Sequence, residues 1–321
     1  MSNISEPSSA AHREQSEGWA HGPALVLAGV LFYALLHSGF RLLVSDVLGE
    51  DDVVANVLSQ ELSLGYDTYP RQPPLYNWVL WYVQQVLGPT LYSFLFIKYA
   101  ALTATVGLLY LTARRILGSH IFALLSVESL ALIYSISWRF HEGFTHQVLA
   151  MTAVAATLYM FVRVLDDERW HNIILFGVVV GLGLLTERVY ALALAAFLGA
   201  AFLQPGLRAK VLQTRLLVSV AIAAVIVAPY VFWLFGEPHR VADWLQPLAR
   251  TSKHYWRGVT DAIRGPFFYL SPLIVIVPLM FPGFLASARE KIKQPINRHP
   301  DGDLLQLVWH TAVICFVASI A

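Results

Sequence analysis

Three consecutive acids, Glu50, Asp51 and Asp52, stand just beyond the first apolar run, and the polar stretch they open continues to the clasp "RQPPLYNW", Arg71 to Trp78. A carboxylate so placed can take a proton from a hydroxyl as a general base. It can equally cap the helix that follows, because free amides and the helix dipole at an N-terminus both favour negative charge. Arg71 offers a planar cation, suited to an oxyanion or to snorkelling at a membrane surface. Tyr66, Tyr69, Tyr76 and Trp78 offer aromatic faces, which at such a boundary serve as interfacial anchors or as a lining.

The elements that must position these residues are apolar. The chain is 57% hydrophobic and 13% charged, and its apolar residues fall into runs of about 18 to 25 rather than an alternating pattern. That composition predicts an all-α polytopic membrane protein and excludes a β-barrel, whose strands would alternate over about ten residues. A net charge of +1 gives no case for a nucleic-acid partner. The single cysteine, Cys315, excludes an intramolecular disulfide framework and a thiol metal cluster.

Nine spans are expected: Pro23–Val44, Thr90–Thr112, Ser119–Ser137, Gln147–Val164, Asn172–Thr186, Val189–Leu203, Leu216–Phe235, Pro266–Ala286 and Leu304–Ala321. Arg114 and Arg115, Arg163 and Arg169, Arg208, Lys210 and Arg215, and the run Arg289 to Arg298 then share one side with the polar tail 1–22. The positive-inside rule makes that side cytoplasmic. The transmembrane domain 23–321 turns its long polar loops, 45–89 and 237–265, outward. The chain stops inside an apolar run, from which a further C-terminal part is expected.

Pro73–Gly88 is apolar and aromatic but too short to cross, so it is expected to lie on the outer surface as an interfacial helix. Before it, Val54, Leu58 and Leu62, with Val53 and Val57 beside them, form one apolar stripe, while Asp51, Asn56 and Gln60 point elsewhere. Two juxtamembrane helices thus flank a polar pocket. Lys98 and Glu128 fall inside spans about 13 to 15 Å from the outer ends, deep enough to form an intramembrane pair, functional or structural. His141 and His146 are five apart, a poor spacing for a metal on one helix face. In the second outer loop Arg250, Lys253 and Arg257 alternate with Trp244, Tyr255 and Trp256, a pattern that suits an anionic headgroup or an amphipathic surface segment.

The order of features is also familiar. An acidic pair at the outer end of the first helix, then "SQELSLGY" (Ser59–Tyr66), then "RQPPLYNW", then an apolar helix ending in "ARR" (Ala113–Arg115), resembles the protein mannosyltransferase-like membrane glycosyltransferases of the GT-C fold. "GLGLLTERVYALALAAFL" (Gly181–Leu198) and "HYWRGVTDAIRGPFFYLSP" (His254–Pro272) extend the resemblance over most of the chain. It implies a donor that is a polyprenyl-phosphate sugar and an acceptor that is a lipid, glycan or protein, as in the bacterial enzymes that decorate lipid A or lipopolysaccharide. It also implies a site on the outer face of the cytoplasmic membrane, towards the periplasm or exterior. Asp51 takes the place of the catalytic acid and Asp52 the second acidic place. The pattern departs at Gln72, where a basic residue usually precedes the prolines, and at Glu187, where a lysine is common.

Sugar transfer from such a donor needs a base for the acceptor hydroxyl and cations for the departing phosphate. The resemblance therefore implies Asp51 as base, with Arg71 and Arg188 standing in as phosphate ligands. Tyr66, Tyr69, Tyr76 and Glu187 are expected to line the substrate site, with the prenyl tail left among membrane lipids. No cofactor is implied, and a divalent metal is left open. The alternative class is a membrane transporter or lipid flippase, which would show repeated halves, broken helices and midplane polar residues. No repeat is evident in the sequence, and its polar mass lies in the outer loops.

Overall fold

The computed structural model describes residues 9–45, 47–67, 72–143, 145–245, 255–280 and 302–320, and every regular element in them is helical. In chain order these are α1 Ser9–Val44, α2 Glu50–Leu58, α3 Leu75–Leu87, α4 Leu91–Leu117, α5 His120–Glu128, α6 Phe140–Gly143, α7 His146–Asp166, α8 Trp170–Leu184, α9 Arg188–Phe202, α10 Pro205–Val211, α11 Leu216–Phe235, α12 Pro238–Leu245, α13 Tyr255–Met280 and α14 Gly302–Ile320.

Among the described residues, four helical stretches are long and apolar enough to cross a membrane, namely Gly22–Val44, Leu91–Leu117, His146–Asp166 and Leu216–Phe235. A fifth is reached if α9 and α10, bent by 120° at their junction, make one broken span. The chain is thus a multi-pass membrane protein, with four or five full-length crossings among the described residues. α8 and α9 have 15 residues each, about 22 Å of helix against a hydrocarbon core of about 30 Å.

The predicted span Ser119–Ser137 is likewise broken. α5 stops at Glu128, a 3-10 turn covers Ser129–Leu132 and a π-helical turn covers Ser135–Arg139. Serine hydroxyls compete with the helix ladder here: Ser126 Oγ donates to Phe122 O at 2.8 Å and Ser129 Oγ to Ser126 O at 2.7 Å. Such back-bonding bends helices. The second outer loop also differs from expectation, since Tyr255–Gly265 is the first part of α13.

Without water in the bilayer, helices associate by close packing and a few hydrogen bonds rather than by burying apolar surface from water. α8 and α11 meet through Gly177 and Gly181, one turn apart. A Cβ on Gly177 would sit 2.7 Å from the Ser219 backbone, and one on Gly181 would sit 2.9 Å from Ile226 Cβ. Ser219 Oγ reaches Ile173 O at 2.6 Å across the same seam. α4 and α7 are stitched by Thr105 and Thr152 hydroxyls at 2.9 Å, and α7 and α9 by Thr157 and Tyr190 at 2.6 Å. The lipid-facing helices read as expected of a nonpolar solvent: Phe32, Leu35, Val225 and Phe232 lie open on the outside of α1 and α11.

Charges sort to the two ends of this bundle. At one end Arg115 meets Asp166 at 3.0 Å, Lys210 donates to Leu165 O and Gln213 to Glu168. The other end carries α2, α3, α6, the α8–α9 turn and α12, and it is there that the predicted site residues gather.

Candidate active site

α2 begins directly after Gly49 with Glu50, Asp51 and Asp52 in its first turn, where acids complement the helix dipole. Its faces are the reverse of a soluble helix. Asp52, Ala55 and the following Ser59 point into the protein, while Val53 and Val57 are open. Of the apolar stripe foreseen from the sequence, Val53, Val57 and Leu62 are open and Val54 and Leu58 half-buried, as suits a helix lying at a lipid boundary, while Asp51 and Gln60 stay exposed and Asp52 and Ser59 are the polar residues that pack.

The acidic pair is therefore split. Asp51 lies on the exposed side, and Asp52 is 4% exposed with its Oδ1 buried and without a hydrogen-bond partner. The charged group nearest in effect to Asp52 is Lys98 of α4, itself 6% exposed. Burial raises the Asp52 carboxyl above the usual range, and Lys98, the Gly49 amide and Arg41 oppose that rise only in part. This corrects the Lys98–Glu128 pairing. Glu128 instead lines a separate cavity of 210 Å³ with Tyr33, Val106 and Ile136. Helical depth alone places a residue along the axis and says nothing of its azimuth, and Lys98 faces α2.

Side-chain hydrogen bonds hold α2 on α3. Gln84 Nε2 donates to Asn56 Oδ1 at 2.8 Å, and Ser59 Oγ donates to Gln84 Oε1 at 3.0 Å. α3 is the helix expected between Pro73 and Gly88, and it is not a bare surface helix: Tyr76, Asn77, Leu80 and Gln84 are buried, and only its other side, with Tyr82 and Val86, is open. Tyr76 packs on His146 with ring centroids 4.8 Å apart and lies within the field of Asp52. Burial first, and Asp52 second, push the Tyr76 hydroxyl well up, so it stays protonated. Asp52 Oδ1, His146 Nε2, Gln147 Oε1 and both Asn77 amide atoms are buried with no protein partner among the described residues. Buried polar atoms seldom stay unpaired, so these atoms are suited to water or to substrate hydroxyls.

One residue before Tyr76, the Leu75 amide donates to Leu185 O at 3.0 Å. The proline clasp thereby sets the α8–α9 turn, with Glu187 and Arg188, beside the start of α3. Glu187 is half-buried, and desolvation raises its carboxyl against the pull of Arg188. Arg188 spends one N–H on Trp244 O at 3.0 Å and lies over the Trp244 ring at 6.0 Å. The loops at this end close around this turn. Arg240 binds Asp67 at 2.5 Å and Trp233 O at 2.8 Å, and it caps the Trp233 ring at 4.4 Å. That hydrogen bond holds the Asp67 carboxyl below the usual range. Gly65 lies against the Trp233 ring, leaving no room for a Cβ, and Trp78 Nε1 donates to Ser63 O at 2.5 Å. Tyr66 is half-buried and donates to Glu61 O at 3.0 Å.

Tyr69 and Arg71 lie outside the described residues, as do Arg250 and Lys253. Among the described residues, no group of three or more His, Cys, Asp or Glu is placed to hold a metal. The residues that sequence reasoning missed are Lys98 as the neighbour of Asp52 and His146 as the buried ring beneath Tyr76. The first had a signal, an uncompensated charge inside a span; the second had none.

Comparison with known proteins gives this arrangement relatives. The chain is 31% identical over 209 residues to the lipopolysaccharide core galacturonosyltransferase RgtB of Rhizobium johnstonii, covering 65% of this chain and 42% of RgtB. It is 29% identical over 273 residues to RgtA of the same organism, covering 84% of this chain and 54% of RgtA. The chain thus spans about half the length of these relatives. In fold it is similar to ArnT from Cupriavidus metallidurans bound to undecaprenyl phosphate, with a TM-score of 0.65 at 16% identity over 95% of this chain and 56% of ArnT. Residues 71–233, just over half the chain, match the family of dolichyl-phosphate-mannose-protein mannosyltransferases, and they include the clasp, α3, Lys98, His146 and the Glu187–Arg188 turn. With those elements in place around an acid-bearing juxtamembrane helix, the chain belongs to that mannosyltransferase family.

Proposed function

We propose that this chain belongs to a glycosyltransferase that moves a sugar from a polyprenyl-phosphate carrier to a lipopolysaccharide-type acceptor on the outer face of the cytoplasmic membrane. The names of the relatives favour galacturonic acid as the sugar and the lipopolysaccharide core as the acceptor. The observation that carries the reading is the divided acidic pair: one carboxylate exposed at the start of α2, the next buried and within the field of Lys98 on α4.

In the proposed reaction the acceptor hydroxyl oxygen attacks the anomeric carbon while its proton passes to Asp51. The bond from that carbon to the phosphate oxygen breaks, and the polyprenyl phosphate leaves with one more negative charge. Asp52 and Lys98 keep α2 seated, so that Asp51 meets the acceptor at hydrogen-bond distance. Arg71, and the N–H groups of Arg188 not used on Trp244, are assigned to the phosphate, a task suited to guanidinium. Tyr66, Tyr69, Tyr76 and Glu187 are assigned to the sugar and its approach. Together with the four long helices, α5, α8, α9, α13 and α14 make up the nine-crossing bundle of this reading, with basic ends in the cytoplasm.

The test is transfer of labelled galacturonic acid from its polyprenyl phosphate to a lipopolysaccharide core by the purified enzyme. Wild type is expected to label the acceptor. Asp51→Asn, equally well expressed and inserted, is expected to lose at least about 100-fold in rate, the usual scale of a general base. An Asn variant that keeps its rate removes Asp51 as base, and an inactive wild type given every polyprenyl-phosphate sugar removes the reading.

A further inference from the structure

α6 is a single turn, Phe140–Gly143, that packs against α2, the helix carrying the acidic pair. His141 on this turn uses both ring nitrogens. Nε2 lies 2.6 Å from the Tyr33 hydroxyl of α1, and Nδ1 lies 2.9 Å from the Tyr99 hydroxyl of α4. The His37 ring of α1 stacks on His141 at 4.0 Å and 10°, and His37 itself rests on Tyr33 at 4.3 Å. Tyr99 follows Lys98 directly in α4.

A neutral imidazole has one donor and one acceptor nitrogen, and each tyrosine hydroxyl can take either role. One tyrosine donates to His141 and the other accepts from it, so three chain segments far apart in sequence are fixed through one ring. Phenylalanine at either tyrosine position, or an aliphatic residue at 141, cannot make this bridge. Burial, the His37 ring and the Lys98 charge lower the His141 pKa to about 4, which keeps the ring in the neutral form the bridge uses.

We propose that His141 is a positioning residue for the transfer step: by bridging Tyr33 and Tyr99 it sets α6 beneath α2 and fixes Asp52 relative to Lys98. The proposal rests on the function given above and adds a residue that touches neither sugar nor phosphate. It acts through the Asp52–Lys98 neighbourhood and leaves the α8–α9 turn, where Arg188 lies, untouched.

Steady-state kinetics of the purified enzyme separate this role from a merely structural one. His141→Ala is expected to lower kcat at least about tenfold per folded molecule, with the KM for the donor within twofold. His141→Gln, which keeps one donor and one acceptor, is expected to recover part of that loss. The double variant Tyr33→Phe, Tyr99→Phe is expected to match His141→Ala. Adding Lys98→Met to His141→Ala is expected to cost less than the product of the two single losses, because both act on one arrangement. Unchanged kcat, a loss confined to KM, or losses that multiply would each overturn the clamp.

A second readout needs no turnover. In nitrogen-15 spectra of histidine-labelled protein, His141, identified by its loss in His141→Gln, is expected to keep one protonated nitrogen down to about pH 5. Titration of that signal near pH 6.5 would overturn the bridge. If wild type transfers no sugar while the signal behaves as expected, the failure belongs to the proposed reaction and the bridge itself stands.

Discussion

At the scale of single residues, the useful feature is that adjacent acids serve different ends because a helix sends neighbours about 100° apart. Asp51 keeps its access to solvent and Asp52 loses it. A pH consequence follows for Asp52. Its pKa is raised by burial, so it takes up a proton at a higher pH than an ordinary aspartate, which titrates near about 3.9. Protonation leaves Lys98 without its counter-charge. Transfer is therefore expected to fall on acidification with a midpoint above that ordinary value, and Asp52→Asn should remove this limb from the pH profile of kcat/KM. The sign for stability is opposite to that of an exposed ion pair: a carboxyl raised on folding favours the fold at low pH and loses that advantage as pH rises through the folded value. A midpoint at or below about 4 would show that Asp52 titrates as if it were solvated. The chemistry-bearing types and their order were legible in the sequence. Which acid would turn inward was not, because the apolar stripe of α2 faces lipid rather than core.

At the scale of elements, the site depends on joints between helices that composition does not announce. The Gln84–Asn56–Ser59 contacts join α2 to α3, and Gln84→Leu leaves Asn56 Oδ1 without its partner at about 1–3 kcal/mol, while Ser59 Oγ keeps its bond to Asn56 O. Such a variant is expected to insert normally and to lose transfer, with faster protease cleavage near residue 60 as the accompanying sign of a loosened α2. Deeper in the bundle, Gly177→Val forces a Cβ into the Ser219 backbone, an overpacking that costs about 1–3 kcal/mol. A lowered thermal midpoint in detergent is the measurement, and Gly107→Ala, where nothing lies within 4 Å of an added Cβ, is the control. The long apolar runs foretold α7 and α11 almost to their ends, while α1 begins at Ser9, well before its apolar run, and α4 continues past its own to Leu117. The short α8 and α9 and the break after Glu128 were hidden, since hydropathy averages over the serine back-bonding and the tight turn at Leu185–Glu187 that interrupt regular helix.

At the scale of the whole molecule, the two ends of the bundle differ in charge and in architecture, and this polarity is open to a direct check. Arg115, Asp166, Lys210 and Gln213 are tied together at one end, while the Asp67–Arg240–Trp233 contacts close loops at the other. Basic residues next to spans favour retention in the cytoplasm, so the closed-loop end faces outward in the proposed orientation, where a lipid-linked sugar and a lipopolysaccharide acceptor meet. The chain has a single native cysteine, Cys315, so Cys315→Ser gives a clean background for labelling. In that background Glu61→Cys lies on the polar, exposed segment just after α2 and Leu212→Cys on the opposite end, both at open positions. A membrane-impermeant maleimide added to intact spheroplasts is expected to label the first and to reach the second only after the membrane is opened. The reverse pattern would place the acidic helix in the cytoplasm and remove the outer-face reaction. Equal labelling before opening would show that the two ends are not separated by a bilayer at all. Asp67→Ala in the Glu61→Cys background adds the architectural half of the check: without the Arg240 contact these loops are expected to open and cleavage by external protease at residues 60–67 to rise, with the sidedness of labelling unchanged.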